Sequence, residues 1–375
     1  MADRIPYDTS SDALLRPALN AVFFRGWDRE ADTRNHDLLC AEMSRLAYAP
    51  QAVVERSLAG IGFAVPEFIG GDDLEERLDA RGTQGFVARH PGLNLTVLAF
   101  RGTESGKFED LIADAEILEE AWPDSPGSMV HAGFAACWRL VTERVAALLP
   151  EPRGTLLITG HSLGAALATL AAIVLRPTKL IAFGSPRVGN QELCALLAGV
   201  EVRRFVHCCD LIARVPPEQF DRGHVGQLLT ELAHPGLHDV LERAALQGAA
   251  GAISLVFQGL RLDPRFQHAG TTFYADRNGR VLGEVTDQIR LADQDDARRA
   301  YTQPASPESF RQLAERLRAL TLTATAASGN PLQTALQILR SFTGHLFAGT
   351  GASVALRDLA DHAPINYVSL FTGRP

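Results

Sequence analysis

The segment from Leu156 to Ala166 restricts the fold of this chain more than any other part of the sequence. It reads as an apolar strand, then the pattern Gly-x-Ser-x-Gly centred on Ser162, then a helix rich in alanine. A serine in such a turn adopts strained backbone dihedrals, and the flanking glycines, Gly160 and Gly164, leave room for the backbone to pass closely. The pattern is typical of a nucleophile elbow, and the alternative is an ordinary turn between a strand and a helix. We therefore take Ser162 as the candidate nucleophile.

Strands alternate with helices on both sides of this segment. The periodicity predicts four apolar strands separated by helices, at residues 95–101, 155–159, 179–183 and 201–207. Alternation of this kind is typical of βαβ units, whose strands are parallel. We therefore expect an α/β fold in which helices flank a mostly parallel central sheet.

We expect the whole chain, residues 1–375, to form one such domain with helical additions. Residues 1–60 are predicted to be a helical N-terminal extension, because the apolar residues between 38 and 47 have helical spacing. The character of the sequence changes after Asp210. Two stretches of the C-terminal half, at about 220–262 and 290–350, are predicted to be helical insertions.

Charge and cysteine content argue against several kinds of partner. The formal net charge is -8 and no basic run is present, which disfavours binding to nucleic acid. The five cysteines have neither an even disulfide pattern nor a zinc-binding spacing, so we expect reduced cysteines, no metal and no other cofactor. The first ten residues are polar and lack the apolar core of a signal peptide. We therefore expect a cytoplasmic protein, or one exported without a recognisable signal peptide.

Five blocks of the sequence carry a resemblance to the class 3 (fungal-type) lipases, in the order in which that family has them. They are Ala99–Thr103, Val130–Phe134, Thr159–Ala165, Phe183–Asn190, and Asp210 followed by Val215–Pro217. Together they lie between about residues 95 and 217, roughly a third of the chain. The resemblance does not extend over the first 60 residues or over the helical stretches after residue 220.

The resemblance implies an α/β-hydrolase fold and a serine hydrolase that cleaves the carboxylic esters of acyl lipids through an acyl-enzyme. The expected partners are an acyl-ester or lipid substrate and, transiently, a lipid interface. A short-chain carboxylesterase and a phospholipase are alternatives with the same catalytic groups. A serine peptidase is chemically feasible but is disfavoured by the resemblance, and an inactive lipid-binding module is a remote alternative.

A serine nucleophile needs a base, and the base needs an acid to orient it. Asp210 is the candidate acid because it follows an apolar strand, which puts it at the carboxyl edge of the sheet, and Asp221 and Asp239 are the alternatives. Since the base follows the acid in this fold, the resemblance points to His362 in the segment Asp361–Tyr367. His268 is the second candidate, although a hydrogen-bonded core histidine is its simpler interpretation. His161, next to Ser162, is also interpreted as scaffold.

The oxyanion of the intermediate needs preorganised donors. Leu163, directly after the nucleophile, offers its backbone N–H, and the resemblance implies that Thr103 supplies the second one. The resemblance also implies a mobile cover between residues 104 and 127. Apolar residues there fall near helical spacing, as they do in any amphipathic surface helix, and the polar face is strongly acidic.

Overall fold

The computed structural model describes most of the chain, in several ranges. The described residues are 24, 26–27, 33–70, 85–102, 119–149, 154–210, 212–232, 247–248, 250–251, 254–255, 258, 264–300 and 361–372. The strands are β1 (Glu67–Ile69), β2 (Gly85–His90), β3 (Leu95–Phe100), β4 (Glu119–Ala121), β5 (Met129–His131), β6 (Thr155–His161), β7 (Lys179–Phe183), β8 (Glu201–His207), β9 (Thr271–Ala275) and β10 (Val281–Gly283). The helices are α1 (Thr33–Leu46), α2 (Gln51–Ala59), α3 (Ala132–Leu148), α4 (Leu163–Leu175), α5 (Gln191–Ala195), α6 (Arg222–Leu232), α7 (Asp287–Ala300) and α8 (Pro364–Thr372).

Eight of these strands form one sheet in the order β1-β2-β3-β6-β7-β8-β9-β10. The four neighbouring pairs from β3 to β9 are parallel, and the pairs at the two edges are antiparallel. The predicted α/β architecture with a mostly parallel sheet flanked by helices is therefore confirmed. Ser162 lies on the turn between the central strand β6 and helix α4, which follows it.

Both faces of the sheet are covered, which explains why its central strands are apolar on both sides. On one face α3 and α4 pack against the sheet in a core that includes Phe134, Leu167 and Ile158. The buried alanines of α4 have no side chain beyond Cβ, so this helix lies close to the strands. On the other face α1 and α8 contact each other and share a second core with Phe183 and Phe205.

The N-terminal extension is part of this second core. The described portion is helical as predicted, in α1 and α2, with a break at residues 47–50. On α1, Asp37 forms a bidentate ion pair with Arg203 of β8, and the Ser44 hydroxyl lies 2.8 Å from the Thr159 hydroxyl of β6. These polar contacts fix the helix across three strands of the sheet. The prediction of one domain over residues 1–375 remains a prediction, because residues 301–360 lie outside the described part.

The predicted insertions and the predicted cover are only partly described. Helix α6 begins the first insertion and α7 falls at the start of the second, while the predicted helices beyond residue 300 lie outside the described residues. The helical structure that the apolar spacing suggested for residues 104–127 is wrong for residues 119–121. Residues Glu119–Ala121 form strand β4, which pairs antiparallel with β5, because the chain turns back on itself between them. Residues 103–118 lie outside the described part.

Candidate active site

The turn that carries Ser162 has the strained geometry expected of an elbow. Strand β6 ends at His161, α4 begins at Leu163, and Ser162 between them has φ 60° and ψ -129°. A side chain at Gly160 would place its Cβ 2.1 Å from the carbonyl oxygen of Gly164, so a glycine is required there. Ser162 is 2% exposed. Local backbone sterics therefore fix the position of its hydroxyl.

The hydroxyl of Ser162 meets a histidine from the far end of the chain. The Nε2 atom of His362 lies 3.0 Å from Ser162 Oγ, and its Nδ1 atom lies 2.9 Å from both carboxylate oxygens of Asp210. All three side chains are buried. The structure thus brings together the three residues that the sequence suggested as nucleophile, base and acid. A proton on His362 Nδ1, donated to Asp210, leaves Nε2 free to accept the hydroxyl proton.

Asp210 is held by two further donors. The backbone N–H of Ile212 donates to its Oδ1 over 2.8 Å, and the phenol of Tyr367 donates to its Oδ2. Burial, together with the negative charge of Asp210, raises the pKa of Tyr367 well above its ordinary value, so the phenol keeps its proton and stays a donor. Sequence reasoning did not find this role of Tyr367, since an aromatic residue on a C-terminal helix indicates only a core position.

His161 forms a hydrogen bond with the backbone of His362. Its Nδ1 lies 2.8 Å from the hydroxyl of Tyr48, and its Nε2 lies 2.7 Å from the carbonyl oxygen of His362. Burial and the neighbouring His362 lower the pKa of His161 well below its ordinary value, so the ring is neutral and donates from Nε2. The interpretation of His161 as hydrogen-bonded scaffold is confirmed. The part played by Tyr48, 113 residues away, had no sequence signal.

Gly184 lies next to Asp210 and His362. Its φ is +55°, and a Cβ at this position would lie 2.6 Å from Asp210 Oδ2 and 3.0 Å from His362 Nδ1. Both the backbone conformation and the space therefore require glycine. The residue belongs to the block Phe183–Asn190, whose sequence alone does not reveal this contact.

The alternative candidates for base and acid, His268 and Asp221, have other hydrogen-bond partners. The Nε2 atom of His268 is 2.9 Å from the carbonyl oxygen of Ala213, and burial lowers the pKa of this histidine well below its ordinary value. The simpler interpretation of His268, as a hydrogen-bonded structural histidine, is therefore confirmed. Asp221 accepts hydrogen bonds from His224 through the backbone N–H and the ring Nδ1, at 2.8 and 2.7 Å. Asp239 lies outside the described residues.

Of the two predicted oxyanion donors, Leu163 lies among the described residues. Leu163 is the first residue of α4, where a backbone N–H has no acceptor within its own helix. Thr103 lies outside the described residues. Its neighbour Gly102 is described: a Cβ there would be 3.0 Å from the Cβ of Ser162. The chain that follows β3 therefore passes directly against the nucleophile.

One group of described residues has donor atoms close enough together to hold a metal ion. These are the thiols of Cys208 and Cys209 and the carboxylate of Asp361, all buried. The backbone N–H of Cys209 donates to Asp361, and the Cys208 thiol lies 3.3 Å from a carboxylate oxygen of Asp293. These hydrogen bonds give the group a structural role directly behind Asp210 and His362. None of the five cysteines forms a disulfide, in agreement with the prediction of reduced cysteines.

No helix in the described part of the chain has both the length and the apolar character needed to cross a membrane.

Comparison with known proteins identifies the same part of the chain. Residues 97–220 match the family model described as Lipase (class 3). The secreted mono- and diacylglycerol lipase A of Penicillium cyclopium is 36% identical over 145 residues, which cover 36% of this chain and 47% of that protein. A lipase of Rhizopus niveus is 33% identical over 160 residues, which cover 38% of this chain and 40% of that protein. The chain thus spans less than half the length of these two relatives.

Among solved structures, the Rhizomucor miehei lipase propeptide complex is similar with a TM-score of 0.47 and 21% identity, covering 71% of this chain and 80% of that one. The family model, for its part, covers the segment in which Ser162 and Asp210 are contained. Residues 97–220 of this chain are therefore similar to the class 3 lipase family.

Proposed function

We propose that this protein is a serine hydrolase that cleaves carboxylic esters of acyl lipids, with Ser162 as nucleophile, His362 as general base and Asp210 as the acid that orients the base. One observation carries the proposal: the hydrogen-bonded series from Ser162 Oγ through His362 to Asp210. The lipid part of the proposal is supported by the relatives, which are named as lipases.

The first half of the reaction forms the acyl-enzyme. His362 Nε2 takes the proton of Ser162 as Oγ attacks the ester carbonyl, and Asp210 stabilises the imidazolium that results. When the tetrahedral intermediate collapses, the protonated His362 gives its proton to the leaving alcohol. The acyl group is then bound to Ser162 Oγ.

The second half releases the acid. A water molecule gives a proton to His362 Nε2 and attacks the acyl carbonyl, and the collapse of the second intermediate returns the proton to Ser162 Oγ. In both halves the negative oxygen is stabilised by the backbone N–H of Leu163, at the positive end of α4. Thr103 is the proposed second donor, supported by the position of its neighbour Gly102, at which a Cβ would lie 3.0 Å from Ser162 Cβ.

The experiment is to replace the nucleophile and look for both turnover and covalent labelling. Ser162→Ala should reduce hydrolysis of a p-nitrophenyl ester by about 10⁶-fold and abolish labelling by a fluorophosphonate, because no other group can form the acyl-enzyme. Ser128→Ala is the matched control, since Ser128 is also buried but its hydroxyl bonds Ser125. Residual activity well above background in Ser162→Ala, or labelling that persists, would disprove the mechanism.

A further inference from the structure

A cavity that none of the three proposed catalytic residues lines is found beside β8 and β9. Its volume is about 500 Å³, within the range of roughly 300–1,000 Å³ that small-molecule sites have. Arg204 and Thr272 line it from neighbouring positions on the two strands. Neither Ser162, Asp210 nor His362 is among its lining residues.

Arg204 is the unusual feature of this cavity. The residue is 9% exposed, and its Nε atom is buried without a hydrogen-bond partner. Among the residues that the structure describes, the Thr272 hydroxyl accepts a hydrogen bond from this guanidinium and no carboxylate forms an ion pair with it. Burial, and then the positive charge of Arg187, lower the pKa of Arg204 to about 10. A buried charge without a counter-ion is costly, so an anion in the cavity would stabilise it.

The other charges that line the cavity do not supply that counter-ion. Arg187 pairs with Glu218 at 3.2 Å, and Arg290 pairs with Asp287 at 3.0 Å. Glu284 is the third acidic residue in the lining; its negative charge acts on Arg204, but the two form no ion pair within the described structure. The cavity has four arginines in its described lining against these three carboxylates.

His268 adds a second buried atom without a partner in the same lining. Its Nε2–H donates to the carbonyl of Ala213, so the ring is the tautomer in which Nδ1 carries a lone pair. That Nδ1 is buried and accepts no hydrogen bond from the described residues. The positive charges of Arg204 and Arg187 act on this ring and help to keep it neutral. The cavity therefore offers a cationic donor, Arg204, and a neutral acceptor, His268.

We propose that this cavity binds a small protonated oxyanion of the phosphate type, either inorganic phosphate or a phosphate monoester, with Arg204 and His268 as its main contacts. Phosphate oxygens match the forked donors of arginine. Hydrogen phosphate also keeps an O–H at neutral pH, which can donate to His268 Nδ1. Sulfate has the same shape but no proton to donate, so it would leave His268 Nδ1 without a partner and bind more weakly.

The test is calorimetric titration of the full chain at pH 7 and constant ionic strength, with phosphate and with sulfate as separate probes. Phosphate should bind, and sulfate should bind at least about 10-fold more weakly, since an unmatched buried acceptor costs about 1–3 kcal/mol. Failure of phosphate to bind at millimolar concentration, or equal binding of sulfate, would overturn the proposal. This comparison uses the unaltered protein and requires no turnover, so it stands or fails independently of the proposed esterase activity.

Substitution tests the assignment of Arg204. Arg204→Gln should weaken phosphate binding at least about 10-fold, because it removes the charged donor. Arg139→Gln is the control, since Arg139 is an exposed arginine paired with Glu120 on another part of the surface. Equal phosphate affinity in Arg204→Gln and in the unaltered protein would contradict the assignment.

The last arm separates the two sources of phosphate. This arm is measured at about pH 5.5, because the second pKa of a phosphate monoester is about 6 and most of it then keeps the O–H that His268 accepts. Glycerol 3-phosphate that binds as tightly as inorganic phosphate at this pH would identify a monoester site with room for the organic group. Binding at least about 10-fold weaker would identify free phosphate as the ligand. Both results depend on the same contacts to Arg204.

Discussion

Two segments meet at the hydroxyl of Ser162, and they are held in place by different forces. The elbow around Gly160 and Gly164 is held by close backbone packing, because a Cβ at Gly160 would collide with Gly164 and a Cβ at Gly164 would collide with the backbone of Phe100 and Arg101. The C-terminal segment that carries His362 is held by side-chain hydrogen bonds. Asp210, which also accepts a hydrogen bond from Tyr367, binds the ring of His362, and His161 binds the carbonyl oxygen of His362.

This difference predicts how each segment responds to mutation. The position of the nucleophile depends on the backbone of the elbow and of the strand end beside it. The position of the base depends on a network of hydrogen bonds to Asp210 and His161, which are both far from His362 along the sequence. Perturbing that network should therefore lower activity without touching the nucleophile. Three substitutions test this, in order of decreasing effect.

Removal of the base itself should have the largest effect. His362→Ala should lower kcat nearly as much as Ser162→Ala, about 10⁵-fold or more, because the hydroxyl then has no acceptor for its proton. His268→Ala should instead lower the melting temperature, because it removes the hydrogen bond to Ala213. The measurement is kcat and melting temperature for both variants. A greater loss of kcat in His268→Ala than in His362→Ala would show that His268, and not His362, is the general base.

Crowding the network should have an intermediate effect. Gly184→Ala would put a methyl group 2.6 Å from Asp210 Oδ2, so the acid and the base must move apart or shift together. A displacement of about 1 Å at catalytic groups can cost about 10²-fold in rate. Gly199→Ala is the matched control, because Gly199 also has positive φ, +84°, but its nearest neighbour, at 3.6 Å, is the side chain of Arg176. Equal losses of kcat in the two variants would show that backbone strain alone is responsible.

Removing one donor from the network should have the smallest effect. Tyr367→Phe deletes the hydrogen bond to Asp210 while keeping the ring that packs on Phe183. Loss of a hydrogen bond to a charged group costs about 1.5 kcal/mol at the low end, or about 10-fold in kcat. Tyr274→Phe is the control, since its hydroxyl bonds Asp293 instead. An unchanged kcat in Tyr367→Phe would remove Tyr367 from the network that positions the base.

The same difference explains how far the sequence could predict the site. Ser162 and Asp210 were predictable because each follows an apolar strand whose period is visible in the sequence. His362 could be chosen only by chain order and by resemblance to a family. The roles of Tyr48, Gly184 and Tyr367 were not predictable, since each arises from contacts between residues far apart in the chain, 157 positions in the case of Tyr367 and Asp210.

Helical spacing also proved a poor guide in the segment that contains β4. Apolar spacing reports which positions can share a face, and three residues such as Glu119–Ala121 are too few to separate a helix from a strand. Their backbone conformation is decided by pairing with Met129–His131. A pairing of this kind depends on where the chain turns, which periodicity does not report.

The separation of 200 residues between Ser162 and His362 also has a consequence for the synthesis of the protein. A ribosome adds roughly 5–20 residues per second, so the nucleophile is made about 10–40 s before its base. During that interval the nascent chain already contains the elbow, β6 and α4, but lacks the imidazole that the proposed reaction requires. A chain whose translation stops before residue 362 would therefore be released without a base, and the proposed hydrolysis can begin only after His362 has been added.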